Sequence, residues 1–564
     1  MKKFYSIGLV LPLFLLSSFC TAQGEENSSF IVAVDSLVKV FPDQTTFPAY
    51  DSSADVAINE HASFQFAVRN PQGIQSLRLE IGEAKSGGHV LKGAEYGFIG
   101  YVKVSLPIQT PPSDVLRSDS KMFPDPILND TSRDIPPGQT EAIWVTYPIP
   151  PETAPGTYKG TIVFRGTVDG KEYVHSKDYS INVFPVKIGR PRLLVTNWFF
   201  YDAKSLSYLN DNKPVEKNSD VYWESLRKLA RIMKSHYQNV AWLSPLEEVE
   251  FSFVDGRWHF DFSNFDRFVQ LFIDEGVVGR IEGQPLAARI RGEFASPFAM
   301  LVPVSQEGRV VFKKLPPDDP ATQKFYGDFL PALMAHLKEK KWDTIYMQHI
   351  VDEPSPDNAA SYAEMAGFVK SIVPEIRTIE AAQNRDEYTG LLDVWVPRLD
   401  FLADDYDFFV ERQKNNDVEL WFYTSCGPQG DFANRFIEQH LLNVRYLHWI
   451  NFQYGATGYL HWGLNVWYHV VDDDPMGEIT QLHTLPAGDC WIVYPYKNEV
   501  VSSIRFEAMR DGIVDYELLK MLEEKNPVSA KELCGRLIKS FTSYEKDTVQ
   551  FRQVRREILE ALSN

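Results

Sequence analysis

The sequence predicts a multidomain β and α/β protein: an N-terminal β-sandwich followed by a (β/α)8 TIM-like barrel with a small C-terminal helical region. Its 564 residues exceed what one hydrophobic core organises, so two or three domains are expected. Over residues 30–185, short alternating runs are separated by Gly, Pro, Asn and Asp, the pattern of an antiparallel sandwich. Beyond Val186-Lys187-Ile188-Gly189-Arg190-Pro191 the rhythm changes, and apolar strand-like runs alternate with helical segments, as β/α units require. The expected boundaries are 1–22 for a signal peptide, 23–188 for the sandwich, 189–487 for the barrel and 488–564 for a mostly helical region packing on it.

The first residues read as a targeting segment. Lys2 and Lys3 precede an apolar run over 7–16, then Ser17, Ser18 and Cys20-Thr21-Ala22. Cleavage after Ala22 and export to the periplasm, cell surface or medium are expected. Lipid anchoring at Cys20 is the competing reading, and the bulky Phe19 before it speaks against that. No later apolar run approaches the ~20 residues of a membrane-spanning helix, so the mature chain is expected to be soluble.

In the sandwich the strand-like runs are 30–34, 62–69, 77–81, 142–147 and 157–164, with a proline-rich turn over 151–160. Such a domain binds glycan or braces its neighbour, and bracing is the better supported use. The eight barrel strands are read at 193–200, 239–243, 278–282, the run entering Asp352-Glu353-Pro354, 377–381, 392–396, 419–424 and 458–462. Helices are expected at 221–235, 265–275, 322–340, 358–372 and 441–454. The connection over 284–317 is too long for a plain structural loop and is placed to roof the site. In the closing segment Ser503-Ile504-Arg505-Phe506-Glu507-Ala508-Met509-Arg510-Asp511-Gly512, Arg505, Glu507, Arg510 and Asp511 read as a buried ion-pair network more than as chemistry.

Composition excludes several classes. A net charge of −19 offers no basic stripe for nucleic acid. After cleavage Cys426, Cys490 and Cys534 remain, too few for a disulfide framework and without zinc-site spacing. The 12 histidines form no H-E-x-x-H pair, and no G-x-S-x-G elbow or phosphate-cradling glycine loop occurs. The 12 Trp and 26 Tyr are an enrichment compatible with stacking on sugar faces, and equally with core filling.

The chemistry-bearing stretch is Ile345-Tyr346-Met347-Gln348-His349-Ile350-Val351-Asp352-Glu353-Pro354. An apolar run delivers two carboxylates to its own C-terminal end, and Pro354 stops the strand. At the C-terminal face of a parallel barrel that is where catalytic groups gather. Neighbouring strand residues point to opposite sides with Cα atoms ~3.8 Å apart. They therefore do not bracket a sugar as two separate carboxyls about 5–5.5 Å or 6.5–9.5 Å apart would. Adjacent acids better suit a reaction in which the substrate supplies its own nucleophile. The bland alternative is a solvated turn before a helix capped by Ser355 or Asp357.

Export signal, sandwich, barrel with Asp352-Glu353-Pro354 ending strand four, and the Ser503–Gly512 segment together resemble glycoside hydrolase family 123, whose members are β-N-acetylgalactosaminidases. The resemblance implies that Asp352 polarises the substrate acetamido group and Glu353 is the general acid/base. The implied reaction is a retaining, exo-acting one through an oxazolinium-like intermediate, on a GalNAc-terminated glycan or glycolipid and without metal or cofactor. Those roles require Glu353 to hold a proton near neutrality, its pKa raised by Asp352 and burial, while Asp352 stays ionised.

Trp395, Tyr423 and Trp462, near the ends of strands six, seven and eight, are candidate walls for the sugar, with Tyr423 also placed to steer the acetamido oxygen. His349 is a candidate for setting the hydrogen bonding of the pocket. Asn197, Gln284, Glu293, His461 and Asn465 are candidate hydroxyl readers. Two other readings stand beside this one: a glycosidase with an enzymatic nucleophile, for instance Glu380 with Glu353 as acid, and a non-catalytic glycan-binding barrel. Galacto against gluco preference, aglycone and oligomeric state are not decided by these residues.

Overall fold

The computed structural model describes residues 28–564 except 105–107, 114–115, 118–121, 307–308, 416–417, 468–477 and 480–484; the expected signal peptide and Cys20 lie outside the described residues.

The N-terminal part is a sandwich of two sheets. One orders strands Phe30–Val34, His61–Arg69, Thr140–Pro148 and Glu95–Val104, all antiparallel. The other orders Ser53–Ile58, Lys171–Lys187, Gly156–Val168 and Ile74–Ile81, its first pair parallel. Phe64, Phe66, Phe98, Ile143, Phe164 and Ile181 fill the space between them. His61–Arg69 is buried along almost its whole length. Its alternate residues face two cores: Phe64 and Phe66 point into the sandwich, while Ala67 joins the core continuous with the barrel.

Eight parallel strands follow, here β1 (Leu194–Asn197), β2 (Val240–Leu243), β3 (Arg280–Gly283), β4 (Tyr346–Gln348), β5 (Ile379–Glu380), β6 (Val394–Trp395), β7 (Glu419–Tyr423) and β8 (Gly458–His461). Each was read at its place in the sequence, because strands buried on both faces are short continuous apolar runs. Ladders join β2–β3–β4 and β5–β6–β7–β8–β1. Two thin seams complete the ring. A parallel bridge between Gln348 and Thr378 joins β4 to β5. Between β1 and β2, Asn239 donates its N–H to the Val195 carbonyl at 3.3 Å and accepts the Val195 N–H on its Oδ1 at 2.9 Å.

Helices Asp220–Ser235, Ser263–Asp274, Pro320–Lys340, Ala359–Ile372 and Leu441–Tyr454 cover the ring. Ser219 caps the first and Asp319 the third, each accepting a first-turn backbone N–H. The β5–β6 crossover carries only a short 3-10 turn, Asp386–Tyr388, so the barrel departs there from strict β/α alternation. The long connection after β3 folds into a three-stranded antiparallel sheet, Ala287–Arg289, Phe298–Gln306 and Arg309–Leu315. A hairpin absent from the sequence reading, Glu250–Val254 with Arg257–Asp261, stands beside it.

Helix Ile504–Lys525 is buried over nearly its full length. Its Arg505 forms a two-pronged pair with Asp125 of the sandwich, Nε to Oδ1 at 2.8 Å and Nη2 to Oδ2 at 2.7 Å. Arg510 pairs with Glu507 and Asp511 and donates to Ser63 of the sandwich. The charged residues of this segment thus lock helix, barrel and sandwich together.

Candidate active site

The ladder of β4 ends at Gln348, and the next five residues are held by other means. Glu380, at the end of β5, accepts the backbone N–H groups of Ile350 and Val351 on one oxygen, at 2.6 and 3.1 Å. Glu353 then adopts φ = 46°, a left-handed conformation that disfavours a residue with a Cβ by about 1–2 kcal/mol. Arg289, from the insertion after β3, donates to the Glu353 carbonyl at 2.8 Å and holds that turn. Backbone strain of this kind concentrates where a side chain must be aimed. Because the chain has left the strand, the alternation expected for neighbouring strand residues does not apply, and Asp352 and Glu353 line one cavity of about 510 Å³. Asn358 Oδ1 accepts the Ser355 N–H at 2.7 Å where the following turn begins, but the two acids stand ahead of that turn and face the cavity.

Beneath them lies a fully buried polar cluster. His349 bridges Glu282 on β3, Nε2 to Oε1 at 2.7 Å, and Glu380 on β5, Nδ1 to Oε2 at 3.1 Å. Burial opposes charge on this imidazole, but the hydrogen bonds and charges of the two carboxylates prevail and raise it to about 10. Glu282 also accepts from Thr196 Oγ1 at 2.8 Å and from the Trp198 indole at 2.9 Å. Trp198 stacks on Trp242 with ring centroids 4.2 Å apart, and the His349 ring stands nearly perpendicular to both, its centroid 5.4 and 5.5 Å from theirs.

Around the cavity stand Trp198, Arg398, Phe401, Tyr423, Trp462 and Asp489. The Tyr423 hydroxyl donates to Glu353 Oε1 at 2.7 Å. Burial, and then the Glu353 charge, push the Tyr423 phenol well above its ordinary range, so it remains a donor. Asp352 is reached by solvent from the cavity yet ringed by protein. That burial, with the neighbouring Glu353 charge second, raises its pKa to about 7. An upward shift is thus found on Asp352, the residue that the sequence reading expected to stay ionised. Asp489, fully buried at the cavity wall, accepts the Trp462 indole N–H on both oxygens at 3.2 Å and is raised to about 7 by burial. Arg398 is fixed by a two-pronged bond to Asp400, both distances 2.7 Å, over the face of Phe401.

Residues 198–522, more than half of the chain, match the description "Glycoside hydrolase 123, catalytic domain", and residues 46–166 match "Glycoside hydrolase 123 N-terminal domain". The chain belongs to glycoside hydrolase family 123. It is a glycosidase, and carbohydrate is its substrate class. Among solved structures it is similar over 95% of its length, and 97% of the other chain, to a family 123 glycoside hydrolase from Clostridium perfringens described in connection with glycolipid glycan hydrolysis, at 17% identity and a TM-score of 0.71. A GH2 β-galacturonidase from Eisenbergiella tayi aligns over 86% of this chain and 72% of its own at 11% identity and a TM-score of 0.32. Curated proteins provide no match.

In this family 123 glycosidase Tyr423 and Trp462 line the cavity with the acid pair, while Gln284 lines the adjoining clefts that share Asp352. The structure places the other candidates elsewhere. Trp395 is 1% exposed, its indole bonded to the Ala382 carbonyl and its ring against Phe408 and Phe409, because on β6 it points outward to the helix layer. His349 lies below the cavity floor and does not line it. Asn465 is fully buried and clamps the Phe200 backbone from both amide atoms. Asn197 is spent on Gln238 and Arg435, and His461 accepts the Gly463 N–H. Glu293 sits on the exposed turn of the insertion. Glu380 is fully buried, with both oxygens engaged by His349 and the two backbone N–H groups, which removes it as a nucleophile.

Sequence reading missed Trp198, Arg398 and Asp489. Trp198 directly follows β1 and Arg398 lies three residues after β6, so the C-terminal ends of strands already carried that signal. Asp489 comes 28 residues after β8 (489 minus 461) in a segment without periodicity, and nothing local marks it.

Proposed function

We propose that the chain is a retaining exo-β-N-acetylgalactosaminidase that releases terminal β-linked GalNAc from glycans or glycolipids by substrate-assisted catalysis. The observation that carries this reading is a pair of consecutive carboxyls aimed into one cavity, while Glu380 is walled off from it. Asp352 accepts the acetamido N–H and orients its oxygen toward C1, and Glu353 protonates the leaving oxygen. An N–H donated to Asp352 favours its ionised form, the form this role requires. Attack of the acetamido oxygen on C1 forms an oxazolinium ion; Glu353, then a carboxylate, takes a proton from the water that opens it with overall retention. Tyr423 keeps Glu353 in place through the cycle. The targeting pattern over Lys2 to Ala22 supports the reading of an exported enzyme.

The test is a panel of aryl β-glycosides of GalNAc, GlcNAc and galactose, assayed with Glu353→Gln and Asp352→Asn. Hydrolysis is expected for the GalNAc glycoside, with inhibition by a sugar thiazoline and a loss of about 10²–10⁴-fold in Glu353→Gln. Equal turnover of the galactoside, or a glycosyl-enzyme trapped with a 2-fluoro sugar, would sink the mechanism.

A further inference from the structure

Among the described residues, six of the twelve exposed large apolar side chains are gathered at one place: Phe253, Val254, Ile290, Phe294, Val310 and Phe312. They belong to the hairpin Glu250–Asp261 and the insertion Ala287–Leu315, which touch through the rings of Phe251 and Phe312 at 6.4 Å. Both are seated rigidly on helix Pro320–Lys340. Phe251 and Phe260 pack on Phe325 and Phe329, and the Tyr326 hydroxyl donates to the carbonyls of Leu286 and Leu301 at 2.9 and 2.8 Å. A cleft of about 530 Å³, lined by Arg291, Phe312 and Lys314, runs from this patch to Asp352. The patch therefore adjoins the catalytic cavity through Asp352.

Its charge differs from that of the molecule. Residues 287–315 hold five Arg and Lys against two Glu, an excess of three, in a chain of net charge −19. The hairpin adds Arg257 against Glu250, Asp255 and Asp261, so the whole rim holds six basic and five acidic residues. The exposed side chains of Arg257, Arg291 and Lys313 form no ion pair among the described residues, and Lys314 donates only to the Arg289 carbonyl. Apolar side chains interleaved with unpaired cations on a firm platform match the chemistry of a bilayer surface, where rings enter the headgroup region and cations meet anionic lipid.

We infer that this rim docks the enzyme on a phospholipid surface containing anionic lipid, presenting the acid pair to glycolipid headgroups. The inference rests on the N-acetylgalactosaminidase reading for the glycolipid only; the docking itself needs no turnover. The experiment is co-sedimentation of the full mature chain with vesicles of phosphatidylcholine containing one-fifth phosphatidylglycerol and no glycolipid. Wild type is expected to bind, with at least tenfold weaker binding in Phe253→Ser/Val254→Ser and in Arg257→Glu/Lys313→Glu, four exposed positions that line neither the catalytic cavity nor the cleft. Both variants should hydrolyse a soluble aryl GalNAc glycoside within about twofold of wild type, which also shows that they fold. Absence of vesicle binding by wild type, undiminished binding in either variant, or an oligomer that forms in wild type and is lost in Phe253→Ser/Val254→Ser would overturn the proposal. Binding of a soluble acidic oligosaccharide without vesicle binding would overturn it in favour of a charged aglycone. Vesicle binding without aryl glycoside hydrolysis would leave docking standing and remove the catalytic reading.

Discussion

Single side chains at this site are tuned by what surrounds them. His349 rises from 6.5 to about 10, so the folded state holds a proton over that interval which the unfolded chain has released. Its stabilising effect is whole below pH 6.5 and disappears as pH climbs through about 10. Denaturant midpoints should fall over that window in wild type and much less in His349→Leu. That variant should itself be less stable by about 3–5 kcal/mol, because two buried carboxylates lose their counter-charge. Asp352 behaves oppositely. Raised from 3.8 to about 7, it lowers stability as pH rises between those values. Asp352→Asn should therefore raise Tm at about pH 8 and leave it unchanged at about pH 3, while abolishing most activity at both. A Tm unaffected at about pH 8 would show that cavity water already solvates the carboxylate.

At the scale of elements, the chain between β4 and its following helix is shaped by a neighbour. Glu380 belongs to β5, yet its carboxylate holds Ile350 and Val351 and so sets where Asp352 and Glu353 point. Glu380→Gln keeps one acceptor oxygen but loses the charge that His349 balances. The expected outcome is a fall in kcat of about 10–100-fold with KM little changed, no rescue by azide, and product configuration still retained. Rescue by azide with inversion would instead mark Glu380 as a nucleophile. The β1–β2 seam makes a second element-scale prediction. Asn239→Ala leaves the Val195 N–H and the Leu193 carbonyl without their side-chain partners, and should cost about 1–3 kcal/mol in urea denaturation.

For the whole molecule, Arg505 and Asp125 bind barrel to sandwich in a site with no exposure at either side chain. Asp125→Asn should destabilise by about 3–5 kcal/mol, since it leaves a buried guanidinium without its counter-ion. With sandwich and barrel sharing a core, near-ultraviolet and far-ultraviolet melting curves of wild type should coincide; two separated transitions would show the domains to be independent.

The sequence by itself determined the order of the architecture, the eight barrel strands and the acid pair at the end of β4. Each of these is written in neighbouring residues: buried parallel strands are local apolar runs, a proline ends a strand, and Asp352 and Glu353 adjoin by covalent bond. Which side chains share the cavity was decided only by tertiary structure. Trp395 and Tyr423 look alike as aromatics on barrel strands, yet ring closure turns one outward and the other inward. Asp489 and Arg398 reach Glu353 across separations of 136 and 45 residues (489 and 398 against 353), which no periodicity encodes. The upward shift of Asp352 was likewise beyond the sequence, because it depends on how burial, Glu353, His349 and Arg289 weigh on that carboxyl in three dimensions.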